Sequence, residues 1–270
     1  MVGTRSLPRS SRMTARPRPL AEAARVDPRA WARVAIVATD VDGTLTDRGE
    51  LRSPIVEVIA RLIRAGVEVI PVSGRPAGEV LGLCRYLPGV TRGIAENGLL
   101  EVVPDRAPRW ISGRPTDVER LLAVGDWLNA DHQAGLQRTG DAFCRLGDVA
   151  YEREGRGEPE LERLRERARE RGVHLVWSNV HVHLAEQLPD KGEGLLQVLA
   201  QEGTDPTTVA TIGDAPNDVG LFRPGRFGLT VGTRDVVDQL QQFDDLPQFV
   251  AQAREAAAFS ELAEGLLARG

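Results

Sequence analysis

The stretch DVDGTL at residues 40–45 stands at the end of the apolar run VAIVA at residues 34–38. A short, uninterrupted run rich in β-branched residues is typical of a strand buried on both faces of a parallel sheet. Ligands of open α/β sheets bind where such strands end. Extended backbone points Asp40 and Asp42 the same way, because they are two residues apart. Taken alone, this motif also fits an Asx turn that closes a strand.

The chain after this motif alternates apolar strands with amphipathic helices. Apolar residues recur at helical spacing from Ile55 to Ile63, and an apolar strand follows at residues 67–72. A second helix over about residues 76–87 leads to a short strand that ends near Gly98. This order predicts an α/β fold, a Rossmann-like doubly wound parallel sheet with its working loops at one edge.

The pattern changes at about residue 109, where a smaller α+β unit is predicted. Val182 and Leu184 alternate with His181 and His183, which indicates a strand with one buried face. The size of the insertion suits a small independent module. The predicted division is a leader at residues 1–30, a first core part at 31–108, a cap domain at 109–186 and a second core part at 187–270.

The leader is rich in Arg and Pro and has no periodic apolar face. Its seven Arg and four Pro stand beside two acidic residues, a composition that predicts disorder. A flexible tail and a start assigned upstream of a natural start at Met13 are the favoured interpretations, and a nucleic-acid arm is the alternative. Without a continuous apolar segment, the leader does not resemble a secretory signal.

Composition narrows the classes of partner. The 270 residues carry a net charge of −5, which argues against broad electrostatic binding to nucleic acid. No apolar run approaches the roughly 20 residues of a membrane span. Two cysteines, Cys84 and Cys144, do not make a disulfide scaffold and suit a reducing compartment. We expect a cytoplasmic monomer or homodimer without nucleic-acid or membrane partners.

One basic residue stands out. Among the 34 Lys and Arg residues, Lys191 is the only lysine. A coding bias toward Arg explains the arginines and leaves this exception unexplained. An ammonium is a compact point charge and a guanidinium is a broad planar fork, so the two are not interchangeable in a small pocket. Lys191 is therefore a candidate functional residue.

Side chains suited to a metal and a phosphate follow several predicted strands. Asp214 and Asp218 come after an apolar strand, as the carboxylates of the first motif do, and Ser73 follows another. At ~4 Å and an effective dielectric near 20, each pair of carboxylates repels by about 4 kcal/mol, so the cluster requires a cation. All-oxygen ligands favour Mg²⁺. Ser73 and Lys191 could then donate to phosphate oxygens.

Four motifs in this order resemble those of the haloacid dehalogenase (HAD) superfamily of phosphohydrolases over residues 34–270. They are DVDGTL at Asp40, VSGRP with Ser73, DKGEG with Lys191 and GDAPND with Asp214. The insertion lies between the second and third motifs. This placement resembles the α/β-capped subgroup, which includes phosphoglycolate, mannosyl-3-phosphoglycerate and sucrose-phosphate phosphatases. AENG at residues 95–98 and the approach WSNVHVHL to the third motif resemble the archaeal-type phosphoglycolate phosphatases in particular.

The resemblance implies a Mg²⁺-dependent phosphatase of carbohydrate or related metabolism. Its substrate would be a small phosphorylated metabolite, either a sugar phosphate or a phosphoglycolate-like acid. Asp40 would form an aspartyl-phosphate and Asp42 would be the acid and base. The implied metal ligands are Asp40, the backbone carbonyl of Asp42, Asp214 and Asp218. The expected substrate- and phosphate-binding residues are Ser73, Gly74, Asn97, His183, Lys191 and Asn217. A phosphomutase of the same fold and a non-catalytic phosphometabolite-binding protein are the alternatives.

The two histidines at residues 181 and 183 allow two interpretations. Residues two apart on a strand share a face, so His181 and His183 could be a pair of zinc ligands. No further ligand nearby in sequence completes such a site. We expect them instead on the polar face of the cap sheet, with His183 facing the substrate.

Overall fold

The computed structural model describes residues 16–178 and 180–269. Within them the chain forms twelve strands and ten α-helices, and none of these helices is both long and apolar enough to cross a membrane. The strands are β1 (Arg18–Pro19), β2 (Ile36–Thr39), β3 (Glu68–Pro71), β4 (Gly93–Ala95), β5 (Leu100–Val102), β6 (Arg109–Trp110), β7 (Val149–Glu152), β8 (His174–Trp177), β9 (His181–Ala185), β10 (Val209–Gly213), β11 (Leu229–Gly232) and β12 (Phe249–Val250). The helices are α1 (Ala23–Val26), α2 (Pro28–Arg33), α3 (Ser53–Arg64), α4 (Ala77–Tyr86), α5 (Val118–His132), α6 (Glu158–Glu170), α7 (Lys191–Gln201), α8 (Val219–Phe222), α9 (Asp235–Asp238) and α10 (Glu255–Leu267).

The main sheet has six parallel strands in the order β1-β12-β11-β10-β2-β3. Every residue of β2 and β10 is buried, because hydrophobic clusters cover the sheet on both faces. β2 and β10 are neighbours, with Thr39 opposite Ile212. The loops that follow them therefore emerge side by side at the carboxyl edge. The predicted Rossmann-like α/β sheet is confirmed.

The strand predicted to end near Gly98 belongs only marginally to this sheet. Ile94 in β4 makes one parallel bridge to Val72, but β4 otherwise pairs with β5 in the antiparallel sheet β4-β5-β6. The next three residues, Glu96, Asn97 and Gly98, all have positive φ, so the chain turns back sharply. The Asn97 N–H donates to the Ser73 carbonyl at 2.9 Å, which ties this turn to the loop after β3.

A second unit, residues 118–185, carries the antiparallel sheet β7-β9-β8 with α5 and α6 packed on it. We call these residues the cap. Val182 and Leu184 are buried in its own hydrophobic cluster, as their alternation in sequence predicts. β6 pairs with β5 outside this unit, and the boundaries at residues 109 and 186 stay a prediction.

The part of the leader that the structure describes is not disordered. β1 pairs with β12 at the edge of the main sheet, and Leu20, Ala23 and Trp31 are buried. These apolar side chains are distributed over a 3₁₀ turn and two short helices. No single helical face repeats them, which is why the sequence shows no periodicity here. The predicted disorder of residues 1–15, and the start at Met13, lie outside the described residues.

Candidate active site

Lys191 stands between two buried carboxylates at the carboxyl edge of the main sheet. Its Nζ donates to Oδ1 of Asp40 and to Oδ1 of Asp218, at 2.6 Å in each case. Lys191 is the first residue of α7, and Asp190 caps that helix. The Lys191 side chain is 0% exposed. Burial lowers the pKa of a lysine, but Asp218 and Asp40 outweigh burial and raise the pKa of Lys191, so the ammonium stays charged.

Asp214, which follows β10, completes the acidic cluster. Its Oδ1 accepts a hydrogen bond from Thr44 Oγ1 at 3.1 Å. Gly43 has φ of 78°, and a Cβ there would lie 2.6 Å from Asp214 Oδ2, so only glycine fits. Burial, assisted by Asp40 and Asp218, raises the pKa of Asp214 to about 9. Burial and Asp218 likewise raise the pKa of Asp40 to about 7. Carboxylates crowded in this way need a cation to be ionised together.

The cluster fits a divalent cation. One oxygen from each of Asp40, Asp214 and Asp218 lies within 4.8 Å of the others. All of these donors are oxygens, as Mg²⁺ prefers. Asn217 lines the same cavity, and its buried Oδ1 has no hydrogen-bond partner among the described residues. Within that part of the chain the histidines form no metal-binding group.

Asp42 is paired with Arg75, an arginine whose role the sequence analysis missed. Arg75 Nε and Nη2 donate to the two Asp42 carboxylate oxygens at 2.8 and 2.6 Å. Arg75 Nη1 also binds Glu79 at 2.5 Å. The Asp42 side chain is 45% exposed and lines the cavity. The bidentate pair therefore fixes the direction of Asp42 without removing it from the site. The position of Arg75 in VSGRP is the sequence signal for it.

The loop after β3 reaches the same place. Ser73 is buried, and its Oγ accepts from the Arg75 N–H at 3.2 Å. Gly74 leaves room for Asn97, because a Cβ on Gly74 would lie 2.9 Å from Asn97 Oδ1. Asn217 Nδ2 is 3.5 Å from that same oxygen. Ser73, Gly74 and Asn217 line the cavity, whereas Asn97 contacts two of its residues without lining it.

A cavity of about 680 Å³ lies between the acidic cluster and the cap. We call its core side, with Asp40, Lys191 and Asp214, the core wall. The cap wall is its cap side, formed by Thr139, Gly140, Asp141, Arg145, Glu152, Ser178, Val180, His181 and His183. His183 Nδ1 is 2.8 Å from Asp148 Oδ2. Both side chains are almost fully buried.

Glu96 binds the cap to the core, a role that the sequence analysis also missed. Its carboxylate accepts from the consecutive backbone N–H groups of residues 146, 147 and 148, at 3.0, 2.5 and 3.0 Å. A fourth N–H, from Ala77 at the start of α4, donates at 3.0 Å. Glu96 is completely buried and has φ of 53°. Four donors hold this unusual backbone conformation in place.

Arg145 makes a second attachment. Its Nη1 donates to the Gly74 carbonyl at 3.1 Å and to Asp148 Oδ1 at 3.0 Å. Its Nε and Nη2 bind the two oxygens of Asp141 at 3.1 and 2.9 Å. The cap is thus bonded directly to the loop that carries Ser73.

Solved structures share this architecture. A Thermoplasma acidophilum protein superposes with a TM-score of 0.70 at 18% identity, over 86% of this chain and 98% of that chain. A haloacid dehalogenase-like hydrolase from Bacteroides thetaiotaomicron gives 0.65 at 16% identity, over 86% and 98%. The sucrose-phosphatase from Synechocystis, solved with sucrose and phosphate, gives 0.63 at 18% identity, over 86% and 97%. At these identities the likeness shows the fold.

Curated relatives are similar in sequence as well, although no family model matches the chain. The phosphoglycolate phosphatase of Methanoculleus marisnigri is 29% identical over 202 residues, covering 72% of this chain and 82% of the relative. That of Haloarcula marismortui is 30% identical over 185 residues, covering 68% and 78%. The chain belongs to the haloacid dehalogenase superfamily. As a HAD protein with phosphatase relatives, it is a phosphoric monoester hydrolase, which confirms the family and enzyme class predicted from the four motifs.

Proposed function

We propose that this HAD phosphatase is Mg²⁺-dependent and hydrolyses a small phosphate monoester through an aspartyl-phosphate on Asp40. The observation that carries the proposal is Lys191, buried and bonded at 2.6 Å to both Asp40 and Asp218. Lys191 binds Oδ1 of Asp40, so Oδ2 is available to attack phosphorus. Mg²⁺ held by Asp40, Asp214, Asp218 and the Asp42 carbonyl would neutralise charge on the phosphoryl group.

In the first step Asp40 Oδ2 forms a bond to phosphorus, and the bond between phosphorus and the ester oxygen breaks. Asp42, which lines the cavity, gives a proton to the leaving oxygen. The Lys191 ammonium and the Ser73 hydroxyl donate to the phosphoryl oxygens, since positioning and charge stabilisation dominate phosphoryl transfer. The products are the free alcohol and the aspartyl-phosphate.

In the second step a water attacks phosphorus and transfers its proton to Asp42. The bond from phosphorus to Asp40 Oδ2 breaks, which releases inorganic phosphate and restores both carboxyl groups. Arg75 holds Asp42 at the cavity in both steps through its paired hydrogen bonds.

Release of inorganic phosphate from a panel of small esters, with Mg²⁺ and after chelation, tests the activity. Acid quench during turnover and mass spectrometry test the intermediate. We expect one phosphoryl group on the peptide that contains Asp40, and none on Asp40→Asn. Asp47→Asn is the matched control, because Asp47 follows in the same loop but pairs with Arg52 at the surface.

An isomerised ester without phosphate release would indicate a phosphomutase. Absence of Mg²⁺-stimulated turnover would favour a phosphometabolite-binding protein.

The proposal includes two kinds of substrate, sugar phosphates and phosphoglycolate-like acids. The curated relatives are named phosphoglycolate phosphatases, and one solved neighbour is a sucrose-phosphatase. A monomeric or homodimeric state and a cytoplasmic location also stay predictions, and light scattering after gel filtration tests the first of them.

A further inference from the structure

We propose that the Asp148–His183 pair on the cap determines the specificity of this site and selects a neutral, hydroxyl-bearing leaving group. This inference rests on the proposed phosphatase function. It narrows the substrate class to phosphate esters of sugars or similar polyols, and it places phosphoglycolate-like acids second.

The orientation of His183 is set by its partner. Burial alone would raise the pKa of Asp148, but His183 and Arg145 hold that pKa below its usual range. Asp148 is therefore a carboxylate, and it accepts a hydrogen bond from the His183 Nδ1–H. This leaves Nε2 as an acceptor in the neutral ring and as a donor in the imidazolium, and a hydroxyl group can pair with either form. Among the described residues the ring makes no other hydrogen bond, and it lines the cavity. Nε2 is therefore available to a hydroxyl group of a ligand.

The distance of this pair from the phosphoryl site is fixed by the core. The Asp148 N–H is one of the three cap donors to Glu96. Arg145 joins the Asp148 carboxylate to the carbonyl of Gly74, next to Ser73. Asp148 is consequently attached to the core through both its backbone and its side chain. A ligand that reaches from Lys191 to His183 must match that distance, which is what a selecting group requires.

The charges around the cavity disfavour a second anionic group. Eight acidic residues line it, together with three arginine and lysine residues and two histidines, of which His183 is paired with Asp148 and His181 lies 3.8 Å from Glu152. Within the described chain each basic residue is already paired with carboxylates: Arg75 with Asp42 and Glu79, Arg145 with Asp141 and Asp148, and Lys191 with Asp40 and Asp218. A carboxylate on the leaving group would find no free cation there, whereas hydroxyl groups can donate to the acidic oxygens.

The size of the cavity also favours a leaving group as large as a sugar. Pockets that enclose drug-sized ligands have volumes of about 300–1,000 Å³, and this cavity of about 680 Å³ falls within that range. A two-carbon acid would leave most of it filled with water and would not span it. A hexose would fill more of the space and bring several hydroxyl groups to the cap wall.

The first test uses the wild-type full-length chain with Mg²⁺. We expect kcat/KM for a hexose 6-phosphate to exceed that for 2-phosphoglycolate by about tenfold or more, the discrimination available from polar contacts in a site. If 2-phosphoglycolate is hydrolysed as well or better, the inference is overturned while the proposed function stands. If no ester is hydrolysed, the proposed function fails and this inference fails with it.

The second test separates selection from structure. His183→Ala should lower kcat/KM for the hexose phosphate about tenfold, mainly through KM, as expected for one lost hydrogen bond. With p-nitrophenyl phosphate, which offers no hydroxyl group to His183, the change should stay within about twofold. His183→Gln, which retains a polar terminus, should recover part of the loss. His174→Ala, on β8 and outside the cavity, is the control. Equal losses on both esters, or no loss on either, would overturn the inference.

Discussion

The core wall and the cap wall of the cavity hold their charged groups in different ways. On the core wall, Lys191 at the start of a helix meets carboxylates that follow strand ends, at 2.6 Å. Behind the cap wall, Asp148 is held by Arg145, His183 and a carboxylate of the core. The core-wall groups thus stand at the ends of strands and at the start of a helix, whereas Asp148 and His183 are positioned by side-chain and backbone bonds that tie the cap to the core. We infer that the first wall sets the chemistry and the second sets the choice of substrate.

The largest effect should come from Asp40, the proposed nucleophile on the core wall. Asp40→Asn replaces one carboxylate oxygen by an amide with little change in volume. It should lower kcat by more than about a thousandfold, because no other group can form the covalent intermediate. Phosphate release measures the loss, and circular dichroism shows whether the fold persists. Turnover near that of wild type would contradict the mechanism.

The second-largest loss of activity should come from Lys191, whose ammonium lies between Asp40 and Asp218. Lys191→Arg keeps the charge but places a broad guanidinium where an ammonium bonds two oxygens at 2.6 Å in a fully buried position. We expect a loss of about 3–4 kcal/mol in transition-state stabilisation, a few hundredfold in kcat/KM, nearly as severe as Lys191→Ala. Arg61→Lys, at an exposed pair with Glu264, is the control. Retention within about threefold, or ~0.7 kcal/mol, would show that position 191 needs only positive charge.

Glu96→Gln addresses the attachment of the cap wall. Each Glu96 oxygen accepts two backbone N–H groups, so an amide at either position leaves two buried donors unpaired. At about 1–3 kcal/mol for each of the two unpaired groups, we expect the free energy of unfolding to fall by about 2–6 kcal/mol. Urea denaturation measures it, and Glu119→Gln on the exposed surface of α5 should change it by less than about 0.5 kcal/mol. An unchanged unfolding free energy would show that Glu96 does not anchor the cap.

The same difference explains what could be predicted from sequence. Asp40, Ser73, Lys191 and Asp214 each lie within a few residues of a strand end or a helix start, so a reading of local periodicity places them at one edge of the sheet. The pairing of β1 with β12, which makes β1 the outermost strand of the main sheet, could not be predicted. A two-residue strand carries no periodic pattern.

The contacts that attach the cap to the core could not be predicted from the sequence, and the reason is physical. Glu96 bonds to residues about fifty positions away, and nothing in its local sequence indicates a positive φ at a glutamate. His183 follows the period-2 pattern of a polar strand face, yet it is buried against Asp148. Alternation shows which residues share a face and does not show what covers that face.

The smallest effect should come from Arg75, which lies on the core side but acts through another residue. Arg75→Ala removes two hydrogen bonds from Asp42, whose side chain is 45% exposed, so water can replace them in part. We expect kcat/KM for a hexose phosphate to fall about tenfold, ~1.4 kcal/mol. For p-nitrophenyl phosphate the loss should be smaller, because nitrophenolate departs without a proton and kcat/KM reports the step that expels it. Arg64→Ala, at an exposed pair with Glu57, should change neither value. If both esters lose activity equally, Arg75 serves the phosphoryl group or the loop after β3 instead of directing the Asp42 carboxyl group.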